Sequence, residues 1–208
     1  MENKWNELAS DASVERAAAA LAANGFEVAI AGNAAAAKAK ALEWIPKGAE
    51  VFTMASVTVD SIGLSAALNE SGDYASVRAS LGAMNGATQG REMRKLSAAP
   101  DVSVGSAHAL TEDGKFLVAS LTGSQLPAYA YGAGTAIFVV STKKIVKNLD
   151  EAWNRLVEHV VPQESGRARK AYGLPESFST YPSKVLIFNR EVQPGRVKVI
   201  LLKEDAGF

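Results

Sequence analysis

No cysteine occurs in this chain of 208 residues. Disulfides, thiolate nucleophiles, cysteine-held zinc and iron–sulfur clusters ligated by the chain itself are therefore excluded. Histidine is scarce too, with only His108 and His159, far apart in sequence, so a zinc site is not expected. Neither sign of charge is in excess, at 22 Lys plus Arg against 22 Asp plus Glu. Such a chain has no global field to draw it onto a polyphosphate backbone or an anionic membrane. No run of about 18 apolar residues appears, and the opening MENKWNELASD lacks a basic segment followed by an apolar one. The expectation is a soluble, untargeted, cytoplasmic protein. There is no internal repeat, low-complexity tract or linker. A single domain over 1–208 follows, with residues 1–25 as an N-terminal helical arm.

What is present is 48% hydrophobic and 21% charged residues, enough for one sizeable core. SDASVERAAAALAANG carries a Ser10 or Asp11 cap, strong helix formers to Ala23, and an Asn24-Gly25 stop. FEVAIA then reads as a strand, AAAAKAKALEWI as a helix ended by Pro46, and VFTM as a second strand. ASVTVDSIGLSAAL follows as a buried helix, a strand falls near Tyr74–Val77, and a helix near Thr88–Ala98. DVSVGSAHALTE and KFLVASL flank Asp113-Gly114, the strongest short hairpin signal in the chain. A short helix begins at Ser124, with Pro127 in its first turn. AIFVVST is an apolar strand. NLDEAWNRLVEHVV is an amphipathic helix with Leu149, Trp153, Leu156 and Val160 on one stripe. VLIFNRE and RVKVILLKE, joined through Gln193-Pro194-Gly195, read as a closing strand pair. The alternation predicts an α/β fold with a mostly parallel sheet between helical layers, made mixed by the hairpin.

Four segments in order resemble the LUD domain family, which includes the C subunit of a bacterial lactate-utilisation system. They are ALEWIPKGAEVFTMASVTVDSIGL, HALTEDGKFLVAS, FVVSTKKIVKNLDEAWNRL and GRVKVILLKEDAGF. The resemblance spans much of the chain. It implies a three-layer α/β/α fold similar to that of sugar-phosphate isomerases and CoA transferases. In the latter, a glutamate before a glycine turn attacks the acyl-CoA, and by motif position that residue is Glu112. The chain departs from the better-known branch at Met54-Ala55-Ser56, where glycines usually stand, at Asp113, where Thr is common, and at Ala107, where an acid is common.

In a parallel sheet, ligands collect beyond the carboxyl ends of the strands. Three segments meet there on this reading: Ser56 and Thr58; Gly105, Ser106 and His108 leading to Glu112; and Gly123, Ser124 and Gln125. Hydroxyls and backbone N–H groups suit a small anionic metabolite of acyl, CoA-like or phosphosugar-like character, and Glu112 is the candidate nucleophile or general acid/base. The plain alternatives are specific. Glu112 pairs with Lys115 across the turn, Ser56, Thr58 and Ser124 are helix caps, and His108 is a hydrogen-bonded rim residue. His159 is a favourable charge late in a helix. At most one of Tyr129 and Tyr131 lines a pocket. Lys143, Lys144 and Lys147 form a solvated basic cluster, as do Arg167, Arg169 and Lys170, the latter able to grip an anion. Three readings stay open: a metabolite-binding domain with acyl or isomerase-type chemistry, a noncatalytic accessory subunit of a lactate-utilisation-like oxidation system, and a ligand sensor. Partner expectations are a homodimer or an iron–sulfur protein. The sequence names no cofactor.

Overall fold

The computed structural model describes residues 4–208. A six-stranded sheet forms its centre, made of β1 (Glu27–Ala31), β2 (Glu50–Thr53), β3 (Ala75–Ser76), β4 (Val102–Gly105), β7 (Thr135–Ser141) and β10 (Val197–Leu202). The order is β1-β10-β7-β4-β2-β3, and every pairing is parallel. A second sheet of four strands, ordered β8-β5-β6-β9, holds β5 (Ala109–Thr111), β6 (Phe116–Ser120), β8 (Ile145–Val146) and β9 (Lys184–Phe188). Mixing of strand direction is confined to this sheet, where β6 runs antiparallel to β5 and β9 while β5 and β8 are parallel.

The central strands are apolar on both faces because both are covered. On one face Val51, Val102, Val104, Ile137, Val139, Ile200 and Leu202 pack against α2 (Ala34–Glu43), α3 (Val57–Ser61) and α4 (Leu64–Asn69). On the other, Phe52, Phe138, Val140, Val199 and Leu201 meet α1 (Asp11–Ala23) and one side of the small sheet through Leu110, Phe116, Val118 and Phe188. Three rings meet at the centre of that contact, with Phe116 stacked on Phe188 at 4.4 Å and tilted against Phe138 at 4.9 Å between centroids. The far side of the small sheet buries Ala109, Leu117, Ala119 and Val146 against Ala152, Leu156 and Val160 of the helical segment that follows β8. Two short helices, α5 (Val77–Gly82) and α6 (Gly90–Ala98), link β3 to β4.

Of the segment 1–25 expected as an N-terminal arm, residues 1–3 lie outside the described residues, and the rest holds a 3-10 turn, Lys4–Asn6, and α1. Capped by Ser10, whose hydroxyl accepts from the Ser13 N–H at 3.3 Å, it places Val14, Ala17 and Leu21 in the main core. The Asp113-Gly114 hairpin docks on its end, where Asn24 Nδ2 donates to both carbonyls of that turn at 3.0 Å. Gly114, at φ 76°, fits against the Ala20 backbone, which a Cβ would meet at 2.4 Å.

Four sequence expectations need correction. DVSVGSAHALTE is not one strand: it is β4 and β5 in different sheets, and the chain changes sheet at Ser106–His108. The expected closing pair is also divided. β9 pairs with β6, while β10 fills the slot between β1 and β7, because its two apolar faces suit a central strand and not an edge. The helix from Ala55 breaks into α3 and α4 at Gly63, which adopts φ 67°. In α7 (Leu149–Arg155), the π turn Leu156–Val160 and α8 (Val161–Tyr172), the buried stripe is Ala152, Leu156 and Val160, flanked by Arg155 and His159. Trp153 lies outside it, 49% exposed.

Candidate functional site

A cavity of about 510 Å³ opens where the two sheets part company. Its floor comes from the residues just beyond β2 (Met54 to Thr58) and β4 (Ser106 to His108). One wall is the end of β6 with Leu121 and Thr122, another is α8 with Leu156 and Val160 before it. Leu174, Phe178, Tyr181 and Phe208 close the remaining sides. This lies at the carboxyl ends of parallel strands, the place where such sheets collect ligands. The lining joins an apolar body to a small polar floor, the usual composition of a metabolite pocket.

The floor is organised by Lys144. The residue ends a 3-10 turn, Thr142–Lys144, that leaves the apolar strand β7, and it is 3% exposed. Its Nζ donates to Thr58 Oγ1 at 2.9 Å, Ser106 Oγ at 3.2 Å and the Ala107 carbonyl at 3.3 Å. All three partners are neutral. Burial, then the nearby charges of Arg155 and Lys143, hold the Lys144 amine well below the usual lysine range. Lys143 faces away and pairs with Asp205. Arg155 is fully buried: Nη1 donates to the His108 carbonyl at 2.5 Å, while Nε and Nη2 have no hydrogen-bond partner among the described residues. Burial brings its pKa down to about 10.

His108 stands beside this group on the cavity wall. Its Nδ1 accepts from the Ala119 N–H at 3.0 Å, which places the ring proton on Nε2. Burial, with Lys144 and Arg155 adding repulsion, pushes its pKa down to about 3, so the ring is neutral. Tyr129, 1% exposed in the π turn Ala128–Gly132, also reaches the cavity, while Tyr131 is 85% exposed. Gly105 makes room for Tyr129, since a Cβ there would lie 1.7 Å from the phenolic oxygen. Burial raises the Tyr129 pKa, keeping the hydroxyl protonated.

Of the residues singled out from sequence, Ser56, Thr58, Ser106, His108, Ser124 and Gln125 line this cavity together. Ser56 also caps α3, accepting from the Val59 N–H at 3.3 Å. The Thr58 hydroxyl donates to the Ala206 carbonyl at 3.2 Å. Ser124 heads no capped helix: the expected helix is a turn leading into the π segment, and Thr122 Oγ1 donates to Ser124 Oγ at 3.2 Å. Gln125 Nε2 donates to the Ala119 carbonyl at 3.2 Å. Gly105 and Gly123 flank the lining without forming it. Gly123, at φ 88°, adopts a backbone conformation that favours glycine and packs on Lys184.

Glu112 is elsewhere. It projects from the hairpin toward α1, where Ser13 Oγ donates to it at 2.6 Å and Arg16 donates through Nη2 at 2.8 Å and Nε at 3.2 Å. The Arg16 hydrogen bonds, then that of Ser13, hold its carboxyl below the usual range. The expected Glu112–Lys115 pair is not made, and Lys115 pairs with Asp113 at 2.6 Å instead. Two other expectations change as well. Lys143 and Lys144 are buried, because the turn after a central strand points inward under α3 and the C-terminal segment. His159 is buried at 2% exposure with its pKa pushed down to about 4, chiefly by burial, and is not a surface cation. In the second basic cluster Arg167 lines the cavity but is engaged by Glu164 through two bonds of 2.6 Å.

The LUD domain family model matches residues 14–202. Among solved structures, the chain is similar to a DUF162 family protein from Deinococcus radiodurans, with a TM-score of 0.58 at 14% identity. That match covers 94% of this chain and 99% of the other, and at this identity it speaks for the fold alone. No curated protein matches the chain. No helix among the described residues is long and apolar enough to cross a membrane.

Proposed function

This chain belongs to the LUD domain family, and we propose that it binds a small anionic metabolite with an apolar body in the cavity above Lys144. The observation that carries this reading is the Lys144 floor: a buried amine and two hydroxyls meet in the hollow, and the buried guanidinium of Arg155 bonds the carbonyl of the adjoining His108. Among the described residues Lys143 pairs with Asp205, while no carboxylate pairs with Arg155. A buried guanidinium short of counter-charge favours an incoming anion, since its field is poorly screened. The head of the ligand meets Lys144, Thr58 and Ser106. Its body lies among Leu121, Leu156, Phe178 and Phe208. A volume of about 510 Å³ suits a metabolite of ordinary size.

Glu112 has no part in this reading, because its carboxylate is committed to Ser13 and Arg16. Native mass spectrometry of freshly purified protein is the test. A retained anionic small molecule, lost from a Lys144→Met variant that still folds, is the expected result. Protein that carries nothing and gains no thermal stability from a panel of small carboxylates and phosphates would refute the reading.

A further inference from the structure

We infer that Lys144 is a covalent site: its amine condenses with an aldehyde or ketone carbon of an anionic ligand to form an imine. The inference rests on the binding reading above and adds the functional group the ligand must carry. Nζ, Thr58 Oγ1 and Ser106 Oγ meet on the cavity floor, and all three residues line the hollow. No carboxylate pairs with Lys144 among the described residues, whereas Lys143 beside it has Asp205. An ammonium in this position would be desolvated with only neutral acceptors and would face the cations of Lys143 and Arg155. The neutral amine avoids both costs, donates two of these three bonds where an ammonium would donate all three, and has the lone pair that attacks a carbonyl. Lysines that form imines are activated in the same way, by an apolar pocket or an adjacent cation. The charges that depress Lys144 also favour a carboxylate elsewhere on the ligand.

The step balances without any group the pocket lacks. The Nζ lone pair bonds to the carbonyl carbon, and the C=O π pair moves to oxygen. The two amine protons pass to that oxygen, which departs as water and leaves C=N. Ser106, partly exposed with its hydroxyl 3.2 Å from Nζ, is placed to relay a proton. His108 beside it is neutral and carries its proton on Nε2.

The test is reductive trapping of the native protein near neutral pH, using glyoxylate as an anionic aldehyde, propanal as an uncharged one, and cyanoborohydride as the hydride donor. Peptide mapping then locates the carboxymethyl or propyl group. Ordinary lysines are almost wholly protonated near pH 7, so Lys144 should be labelled by glyoxylate at least about tenfold faster than any other lysine of the chain. Propanal should show a smaller preference, and urea-unfolded protein none. The Lys144→Met variant removes the fast phase, but the wild-type map alone decides the matter if that variant fails to fold. Uniform labelling, or Lys144 slowest of all, overturns the covalent step. If native mass spectrometry still finds a bound anion in that case, the binding reading survives. If both come back empty, both readings fail.

Discussion

The neutral state of the Lys144 amine is open to a thermodynamic test independent of any ligand. In the unfolded chain this amine titrates near 10.5, and in the folded protein well below that. Between those two values the unfolded state holds one more proton than the folded state, so stability rises with pH through that window. The slope is about 1.4 kcal/mol per pH unit for one such group, wherever the pH lies between the two values. Replacement by Met keeps much of the side-chain volume and deletes the titration. The difference in unfolding free energy, wild type minus Lys144→Met, should therefore climb at that slope through the window. The neighbours do not mimic it. Burial pushes His108 and His159 down to about 3 and about 4, and Arg155 down to about 10. Urea denaturation of both proteins at three pH values gives the difference directly, provided the m-values agree. A difference that stays flat would mean that the folded amine is charged at neutral pH, and the imine chemistry would lose its nucleophile.

Three further outcomes follow from packing and charge. Gly105→Ala drives a methyl into the Tyr129 hydroxyl and should cost about 1–3 kcal/mol, with Tyr129→Phe recovering part of it in the double variant; strictly additive urea-denaturation effects would contradict the contact. Leu21→Ala should cost about 2–5 kcal/mol if α1 is a core element, whereas a loosely docked arm would lose well under that. Glu112→Ala should leave glyoxylate trapping at Lys144 unchanged while lowering the melting temperature slightly. Because the folded carboxyl is held below 4.5, that stability difference is present above about pH 4.5 and fades as pH falls through the folded value.

The elements that sequence exposes best are those whose periodicity is enforced at both ends. α1 has its Ser10 cap and Asn24-Gly25 stop, the Asp113-Gly114 hairpin has its turn glycine at φ 76°, and β7 has an uninterrupted apolar run. Each is fixed by local chemistry that a reader can see. Strand pairing is different in kind. Nothing in VLIFNRE or RVKVILLKE says that the first joins an edge and the second a central slot, because that choice depends on β1 and β7, far away in sequence. The same holds at Ser106–His108, where two short strands separated by three residues read as one. Helix rephasing by a π turn is also invisible to a count at 3.6 residues, which is why Trp153 is mistaken for a core position.

The site was half legible for a related reason. Hydroxyls and glycines at strand ends announce themselves, so Ser56, Thr58, Ser106, His108, Ser124 and Gln125 were foreseeable from the β-to-α boundaries alone. Lysine does not, since a Lys-Lys pair reads as a solvated face in most proteins. What distinguishes Lys143 and Lys144 is their place, two and three residues beyond an apolar central strand, in a short 3-10 turn. The carboxyl end of a central parallel strand adjoins the ligand crevice, and of the two lysines there Lys144 reaches into it while Lys143 turns to Asp205. Glu112 shows the converse. Its motif position drew attention, but a hairpin at the end of a second sheet faces the docked helix, and Ser13 and Arg16 on that helix take both carboxylate oxygens.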